Sequence, residues 1–318
     1  MLPPVDAETE LDELAAVASA HGGLLWRSHL TASGMTGRDI VRLMRTGTLR
    51  RVHRGVYRMS MAGEDRHADL LATARAVLAR DPTRVITGPG ALMLLGLPLF
   101  DAPPVVHVAL DQRGGSSARS VIRTVAVPPR EQIVVLPAGR VASPARAVLD
   151  TARLCSLTAG VVAADAALRR RMTTPDELLA VLSTMEGLRG VARSRVCRGL
   201  ASPQSESPGE SWSVVVMHRN GIPLPLRQEP FSDEAGFIGR VDFWWPEQRV
   251  AGEFDGRVKY GRDNPSGRAP EEVLWDEKIR EDRLRARELA VVRWTASDLR
   301  GPDAWLARLR RHLGLPHP

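Results

Sequence analysis

Two neighbouring runs of alternating residues constrain this chain more than any other feature. Gly239–Trp245 and Arg249–Asp255 change character at every second position, the period of a β-strand, and Pro246-Glu247-Gln248 turns the chain between them. On the first run Arg240, Asp242 and Trp244 share a face; on the second Ala251, Glu253 and Asp255 do, opposite Val250, Gly252 and Phe254. If the runs pair through the turn, Asp242 lies beside Glu253 at one end of a sheet. Asp242, Glu253 and Asp255, three carboxylates at one edge and candidate catalytic and metal-holding groups, repel one another and are costly to desolvate unless a cation joins them. Oxygen-only donors suit Mg²⁺ or Mn²⁺, which can activate water and stabilise the leaving oxygen in phosphodiester cleavage. The plainer reading makes these acids solvent-facing groups on an edge hairpin, paired with Arg240 or Arg257. Taken alone, the Glu253-Phe254-Asp255 pattern favours that plainer reading.

The surroundings shift the balance. A helix is expected over Glu210–Arg219, a long charged helix over Glu271–Leu289, a strand over Ala290–Trp294 and a closing helix over Asp303–Leu313, with Trp305, Leu306, Leu309 and Leu313 on one face. Ala201 to Gly209, rich in Ser and Pro, reads as a surface connection. The block therefore runs helix, strand, strand, helix, strand, helix, an order that favours an α/β sheet. Within it stand, in order, Glu210, Asn220-Gly221-Ile222-Pro223-Leu224-Pro225, Gln228, Val241-Asp242-Phe243, Gly252-Glu253-Phe254-Asp255-Gly256, Glu281-Asp282-Arg283-Leu284 and Val291-Val292-Arg293-Trp294-Thr295. This set resembles the very-short-patch-repair-like branch of the PD-(D/E)xK nucleases over roughly residues 205–310. The resemblance implies a restriction-endonuclease-like core in which Asp242 is the first acid, Glu253 the second and Glu210 the helix-borne acid that completes a Mg²⁺ or Mn²⁺ site.

Two departures bear on catalysis. Asp255 stands where the motif's lysine would orient the attacking water, and Tyr260 where the repair-like branch commonly has histidine. The chain's two lysines, Lys259 and Lys278, both fall in this block, and either can be read as the missing cation. Lys278 reads equally well as a helix-surface charge between Asp276 and Asp282. Arg280, Arg283, Arg285 and Arg287 are interleaved with Glu277, Glu281, Asp282 and Glu288, which makes a salt-bridged helix face the better reading than a phosphate-binding one.

At the other end, Leu11, Leu14, Ala15, Val17 and Ala18 have helical spacing. Trp26–Leu30 is expected to be a short second helix, and Thr36 an N-cap for a third with Ile40, Leu43 and Met44 as its apolar stripe. Leu49–Tyr57 alternates as a small hairpin would. Three helices followed by a wing is the order of a winged helix-turn-helix. From Arg38 to Arg58 there are seven arginines (Arg38, Arg42, Arg45, Arg50, Arg51, Arg54 and Arg58) and one acid, Asp39. Arg38, Arg42 and Arg45 recur at helical spacing beside the apolar stripe, so that a helix packed by that stripe can offer guanidiniums to a major groove while the wing meets the backbone. A solvated basic face that serves protein contacts is the alternative. Through Leu49-Arg50-Arg51-Val52-His53-Arg54-Gly55-Val56-Tyr57 the region also resembles the N-terminal winged-helix domain of AbiEi-family antitoxins, which implies a DNA-binding, often autoregulatory module.

Between them, residues 66–200 read as mixed α+β. An apolar helix carries Leu70, Leu71, Ala74, Val77 and Leu78, and strands are expected at Arg84–Thr87, Val105–Leu110, Val121–Val127 and Ile133–Leu136. A helix is expected at Ala91–Leu95, and Ser143-Pro144 and Thr174-Pro175-Asp176-Glu177 are helix starts. The expected fold class is thus α+β multidomain: a winged helix-turn-helix over 7–62, a middle α+β domain over 66–200, and a restriction-endonuclease-like α/β domain over 205–315. Cys155 and Cys197, far apart, give neither a disulfide framework nor a zinc motif. No apolar run approaches the ~18–20 residues that span a bilayer, and the first residues have no basic or apolar leader character, so a cytoplasmic protein is expected. The excess of arginine, with a net charge of +7, accords with a nucleic-acid partner, although a GC-rich coding sequence gives the same bias. The expected partners are DNA and, by the antitoxin resemblance, a cognate toxin or other protein, with no membrane. The alternative to a nuclease is a regulator or antitoxin whose nuclease-like domain serves as a scaffold.

Overall fold

A computed structural model describes residues 7–21, 23–53, 55–59, 66–103, 105–109, 122–256, 279, 283 and 286–316. The chain divides into two compact units, one of Met1–Ala163 with Thr173–Arg195, the other of Ala164–Met172 with Val196–Pro318.

The first unit begins with α1 (Ala7–Ala20), β1 (Leu25–Trp26), α2 (Arg27–Ala32), α3 (Gly37–Arg45), β2 (Leu49–His53) and β3 (Val56–Met59). The strands form an antiparallel sheet in the order β1-β3-β2. This is the order of a winged helix-turn-helix, with one change from expectation. Leu25 and Trp26 pair with Tyr57 and Val56 as a strand, so the second helix starts at Arg27 rather than Trp26. Sheet pairing overrides local helical spacing there. Leu14, Ala18, Leu25, Leu30, Met35, Ile40, Leu49 and Tyr57 fill one core, against which Leu43 and Met44 pack. Thr36 caps α3 as expected: its hydroxyl accepts from the Asp39 N–H, and the Asp39 carboxylate accepts from the Thr36 N–H at 2.9 Å.

Next come α4 (Arg66–Arg80), β4 (Val85–Thr87), α5 (Gly88–Leu94), β5 (Val106–Ala109), β6 (Ile122–Val125), β7 (Ile133–Leu136), β8 (Gly139–Ala142), α6 (Pro144–Leu154), α7 (Leu157–Arg169), α8 (Pro175–Ser183) and α9 (Val191–Leu200). The sheet is mixed, in the order β6-β5-β4-β8-β7. Sequence reading missed β8, a short strand with one charged residue, and began α5 at Ala91; the helix includes Gly88-Pro89-Gly90. Ser143 and Thr174 cap α6 and α8 as expected. Ala72 and Ala76 of α4 share an apolar cluster with Leu24, Val52 and Val56, which joins α4 to the wing.

Inside this unit the charged groups Arg146, Asp150 and Arg153 are buried together. Asp150 accepts from Arg146 Nε at 3.0 Å, from Arg153 Nε at 2.5 Å and from the Thr87 hydroxyl. Arg146 Nη1 also donates to Gln132 Oε1 at 2.9 Å, and Gln132 Nε2 to Thr184 Oγ1 at 2.9 Å. Burial pushes His107, on β5, down to about 4, with Arg153 and Arg123 adding to the shift and Asp150 opposing it.

The second unit holds α10 (Pro208–Arg219), β9 (Leu226–Asp233), β10 (Gly236–Trp245), β11 (Val250–Asp255), β12 (Ala290–Thr295), α11 (Ala296–Arg300) and α12 (Asp303–Leu313). The sheet order is β12-β11-β10-β9, antiparallel except for the parallel β11–β12 pair. The hairpin expected between the two alternating runs is present, but it is not at an edge: β10 and β11 are the two central strands. β9, which sequence reading missed, lies at the edge, where Pro230 does not interrupt a ladder on both sides. Phe243, Trp294 and Trp305 stack in succession at 5.2 and 4.7 Å, and Trp305, Leu306, Leu309 and Leu313 are buried as expected. Residues 201–209 are not a loose surface connection. Ser205 is buried, Arg227 donates to Ser205 Oγ at 3.1 Å and to the Leu200 carbonyl at 2.6 Å, and the buried Asp165 accepts from the Ser202 N–H and the Ser211 hydroxyl. Among the described residues no helix is long and apolar enough to cross a membrane.

Candidate functional site

Two arrangements carry chemistry, one in each unit. In the first, α3 turns Ile40 into the core and leaves Arg38, Arg42 and Arg45 exposed on the opposite side. The capping box fixes where this helix starts, and the apolar stripe fixes its rotation. Arg42 makes one ion pair, to Asp39 at 3.4 Å, and its side chain stays 70% exposed. On β2, Arg51 is exposed. Arg50 is exposed as well but holds Asp69 of α4 at 2.6 Å, and Arg58 reaches the same carboxylate at 2.8 Å. Arg50 is thus tied to the first turn of α4, a restraint invisible to a reading of the wing alone. Arg54 lies outside the described residues.

In the second unit the register Trp245–Val250, Trp244–Ala251, Phe243–Gly252 makes Asp242 and Glu253 the next residues along the two central strands. Glu253 is buried, and Asp242 is partly so. Gly252 is where a large side chain of β12 crosses the sheet: a Cβ there would stand 2.6 Å from the Trp294 ring. Gly209 performs the same service for α10, since a Cβ there would run into the Phe254 ring. The close approach it permits brings Glu210 to the acids. Glu210 caps its own helix, with the Ser207 hydroxyl donating to Oε1 at 2.7 Å and the Glu206 N–H to Oε2 at 2.8 Å. Gln228 of β9 joins the set: its amide donates to Glu210 Oε2 at 3.1 Å and to Asp242 Oδ1 at 3.0 Å. The other Asp242 oxygen accepts from the Phe254 N–H at 2.9 Å. Glu253 accepts from Arg293 Nε at 3.0 Å, and the two face each other in the parallel register of β11 and β12.

Burial, first, and then the charges of Glu210 and Glu253 push Asp242 up to about 6; the hydrogen bonds from Phe254 and Gln228 pull the other way. The sequence-expected acids Asp242, Glu253 and Glu210 are therefore electrostatically coupled neighbours. Asp255 pairs in register with Thr295 and is not among the groups acting on Asp242. Lys259, Lys278 and Tyr260 lie outside the described residues. Arg283 is engaged by Asp233 of β9 through two bonds of 2.8 and 2.5 Å, a partner outside the acids interleaved with it in the sequence. The donor chemistry fits a hard divalent cation, with oxygen ligands and unbalanced negative charge. As the side chains stand, no three His, Cys, Asp or Glu residues converge on one ion position among the described residues. The Gln228 amide bridges Glu210 and Asp242, and Arg293 holds Glu253.

Residues 12–60 match the family model "Transcriptional regulator, AbiEi antitoxin". The N-terminal module is similar to an antitoxin-type transcriptional regulator. Two curated relatives, "Uncharacterized protein MT2308" and "Uncharacterized protein Rv2248" from two strains of Mycobacterium tuberculosis, are each 32% identical over 177 residues. The alignment covers 55% of this chain, and the chain spans 62% of the length of those relatives. The crystal structure of the RV2827C protein from Mycobacterium tuberculosis aligns over 65% of this chain and 80% of its own at 18% identity, with a TM-score of 0.38, too low to carry an argument.

Beside this regulator-like module, sequence reading assigned no role to Gln228 or Arg293. Gln228 sits in a polar strand interrupted by proline, which hid its position. Arg293 had a usable signal: it is the single charged residue in the apolar run Val291–Trp294.

Proposed function

We propose that this protein is a DNA-binding regulator that docks α3 in a major groove, with the β2–β3 wing against the backbone. The observation that carries this reading is the exposed set Arg38, Arg42 and Arg45 on a helix whose start is capped and whose opposite side is locked into a core. Guanidiniums held this way contact phosphates or guanine edges without the helix having to form on binding. Arg51, exposed on β2, extends the basic surface along the wing, beside Arg50, which is exposed and held by Asp69. The antitoxin likeness adds a cognate toxin as a protein partner. The test is fluorescence anisotropy on duplex DNA across salt concentrations. An Arg42→Ala/Arg45→Ala variant is expected to bind more weakly, with the slope of log K against log salt reduced by about 1–2. Unchanged affinity and slope would remove α3 from the interface.

A second reading concerns the other unit: a metal-dependent phosphodiesterase of the PD-(D/E)xK type, with residues 205–315 as its domain. What favours it is the gathering of Asp242, Glu253 and Glu210 around the Gln228 amide and the β10–β11 register, with Asp242 raised to about 6 by burial and by the two neighbouring acids. The order of α10, a three-strand meander and β12 parallel to β11 accords with it. Asp242 and Glu253, with Glu210, would hold Mg²⁺ or Mn²⁺, which supplies Lewis acidity and an activated water when bound. Gln228 and Arg293 would keep the carboxylates apart and oriented. Asp255 in place of lysine favours instead a scaffold that has lost cleavage. A Mn²⁺-dependent nicking assay comparing the wild type with Asp242→Ala and Glu253→Ala decides: loss in both variants is expected, and equal activity in all three excludes catalysis at these acids.

A further inference from the structure

The outward side of α3 is not uniformly basic. Arg38, Val41, Arg42 and Arg45 follow at i, i+3, i+4 and i+7, which puts a valine among three guanidiniums on one face. Val41 is 49% exposed, whereas Ile40 is buried and Leu43 and Met44 pack against the core. Valine is one of the poorer helix formers, so neither local propensity nor packing accounts for it on a solvated helix face. A B-form major groove offers phosphates and guanine edges to arginine, and one apolar feature, the 5-methyl group of thymine.

Resting on the DNA-binding reading of α3, we propose that Val41 is a specificity residue that packs against a thymine methyl group in the major groove while Arg38, Arg42 and Arg45 hold phosphates or guanine. The protein then distinguishes thymine from uracil and cytosine at one or two positions of its site through a side chain that forms no hydrogen bond. Burying one methyl against another apolar group predicts a preference of about three- to fivefold per contacted thymine.

The test begins by enriching a preferred duplex from a random library with the full chain. Each deoxythymidine of that duplex is then replaced by deoxyuridine, one at a time, and affinity is measured for the wild type, Val41→Ala and Val41→Thr. The expected result is one or two positions where loss of the methyl weakens the wild type about three- to fivefold. Val41→Ala should lose most of that sensitivity, and Val41→Thr, which keeps a methyl group, should retain it. Salt-dependent binding with no thymine-to-uracil effect at any position overturns the inference and leaves the DNA-binding reading standing. So does an effect that is the same in Val41→Ala. No duplex binding even at low salt overturns both. Because Val41 lies outside the core and alanine is the better helix former, circular dichroism melts should show Val41→Thr close to the wild type and Val41→Ala no less stable, which separates a recognition defect from a folding one.

Discussion

Asp150 and Asp242 are both carboxylates sunk into α/β layers, and their surroundings differ in one respect. Asp150 has Arg146, Arg153 and the Thr87 hydroxyl on its two oxygens, so cations more than offset its charge. Asp242 has a neutral amide and a backbone N–H on its oxygens, and two further carboxylates act on it. A buried charge is tolerable when it is paired and becomes a liability when it is not. The Asp150 network holds β4 to α6 and is accounted for by stability. Asp242 has no such account, and the deficit shows in its raised pKa of about 6: it keeps its proton to a higher pH than an ordinary carboxylate.

The largest expected effect tests the matched side. Asp150→Asn strands two buried guanidiniums and should destabilise the first unit by about 3–5 kcal/mol. Hydrogen exchange of the β4 and α6 amides, followed by mass spectrometry, measures it. A cost below about 1 kcal/mol would mean that the arginines find other partners and that the network is not held by charge matching.

The unmatched side should respond with the opposite sign. Asp242 has a folded-state value of about 6 against an ordinary value of 3.8, so the folded protein binds the extra proton. Stability from this group is complete below about pH 4 and declines as pH rises through 6, leaving a penalty on the order of 2–3 kcal/mol at pH 7–8. Asp242→Asn cannot ionise and should stabilise the second unit at pH 7.5 by about 1–2 kcal/mol, flatten its pH dependence and abolish any nicking. Urea unfolding followed by fluorescence of the Trp294–Trp305 stack reads this directly. A variant less stable than the wild type at pH 7.5 would show that Asp242 is a structural acid like Asp150.

The two regions also differ in how far the sequence discloses them. Local signals were legible because they act over a few residues: the Thr36 and Thr174 caps, Ser143 before α6, and the apolar face of α12 were all written in short spacings. The alternation that gave the β10–β11 hairpin also put Asp242 beside Glu253, since register about a turn follows from two short segments. What escaped depends on distant pairing. β1 is two residues long and exists only because β3 lies alongside. Arg146 and Asp150 look like an ordinary helix-surface pair until Thr87, on another element, is brought to the same carboxylate. Arg293 meets Glu253 only through a parallel pairing that local spacing does not reveal.

The smallest effect concerns the residue that keeps the unmatched cluster together. Gln228 sits at φ 55°, the left-handed region a glutamine rarely adopts, and its amide binds both Glu210 and Asp242. That backbone costs about 1 kcal/mol, so the two hydrogen bonds must recover it. Gln228→Ala keeps the strained backbone and loses the amide, and should destabilise by about 1–2 kcal/mol at pH 8. At pH 4.5 the loss should shrink, because a protonated Asp242 can itself donate to a neighbouring carboxylate. Gln228→Gly loses the same amide but relieves the backbone, and should be more stable than the alanine variant by about 0.5–1 kcal/mol at both pH values. The ordering wild type, glycine, alanine at pH 8, with the gap from wild type narrowing in acid, would assign Gln228 to managing excess negative charge. A gap independent of pH would assign it to packing alone, and the contrast between Asp242 and Asp150 would then rest on Asp242→Asn.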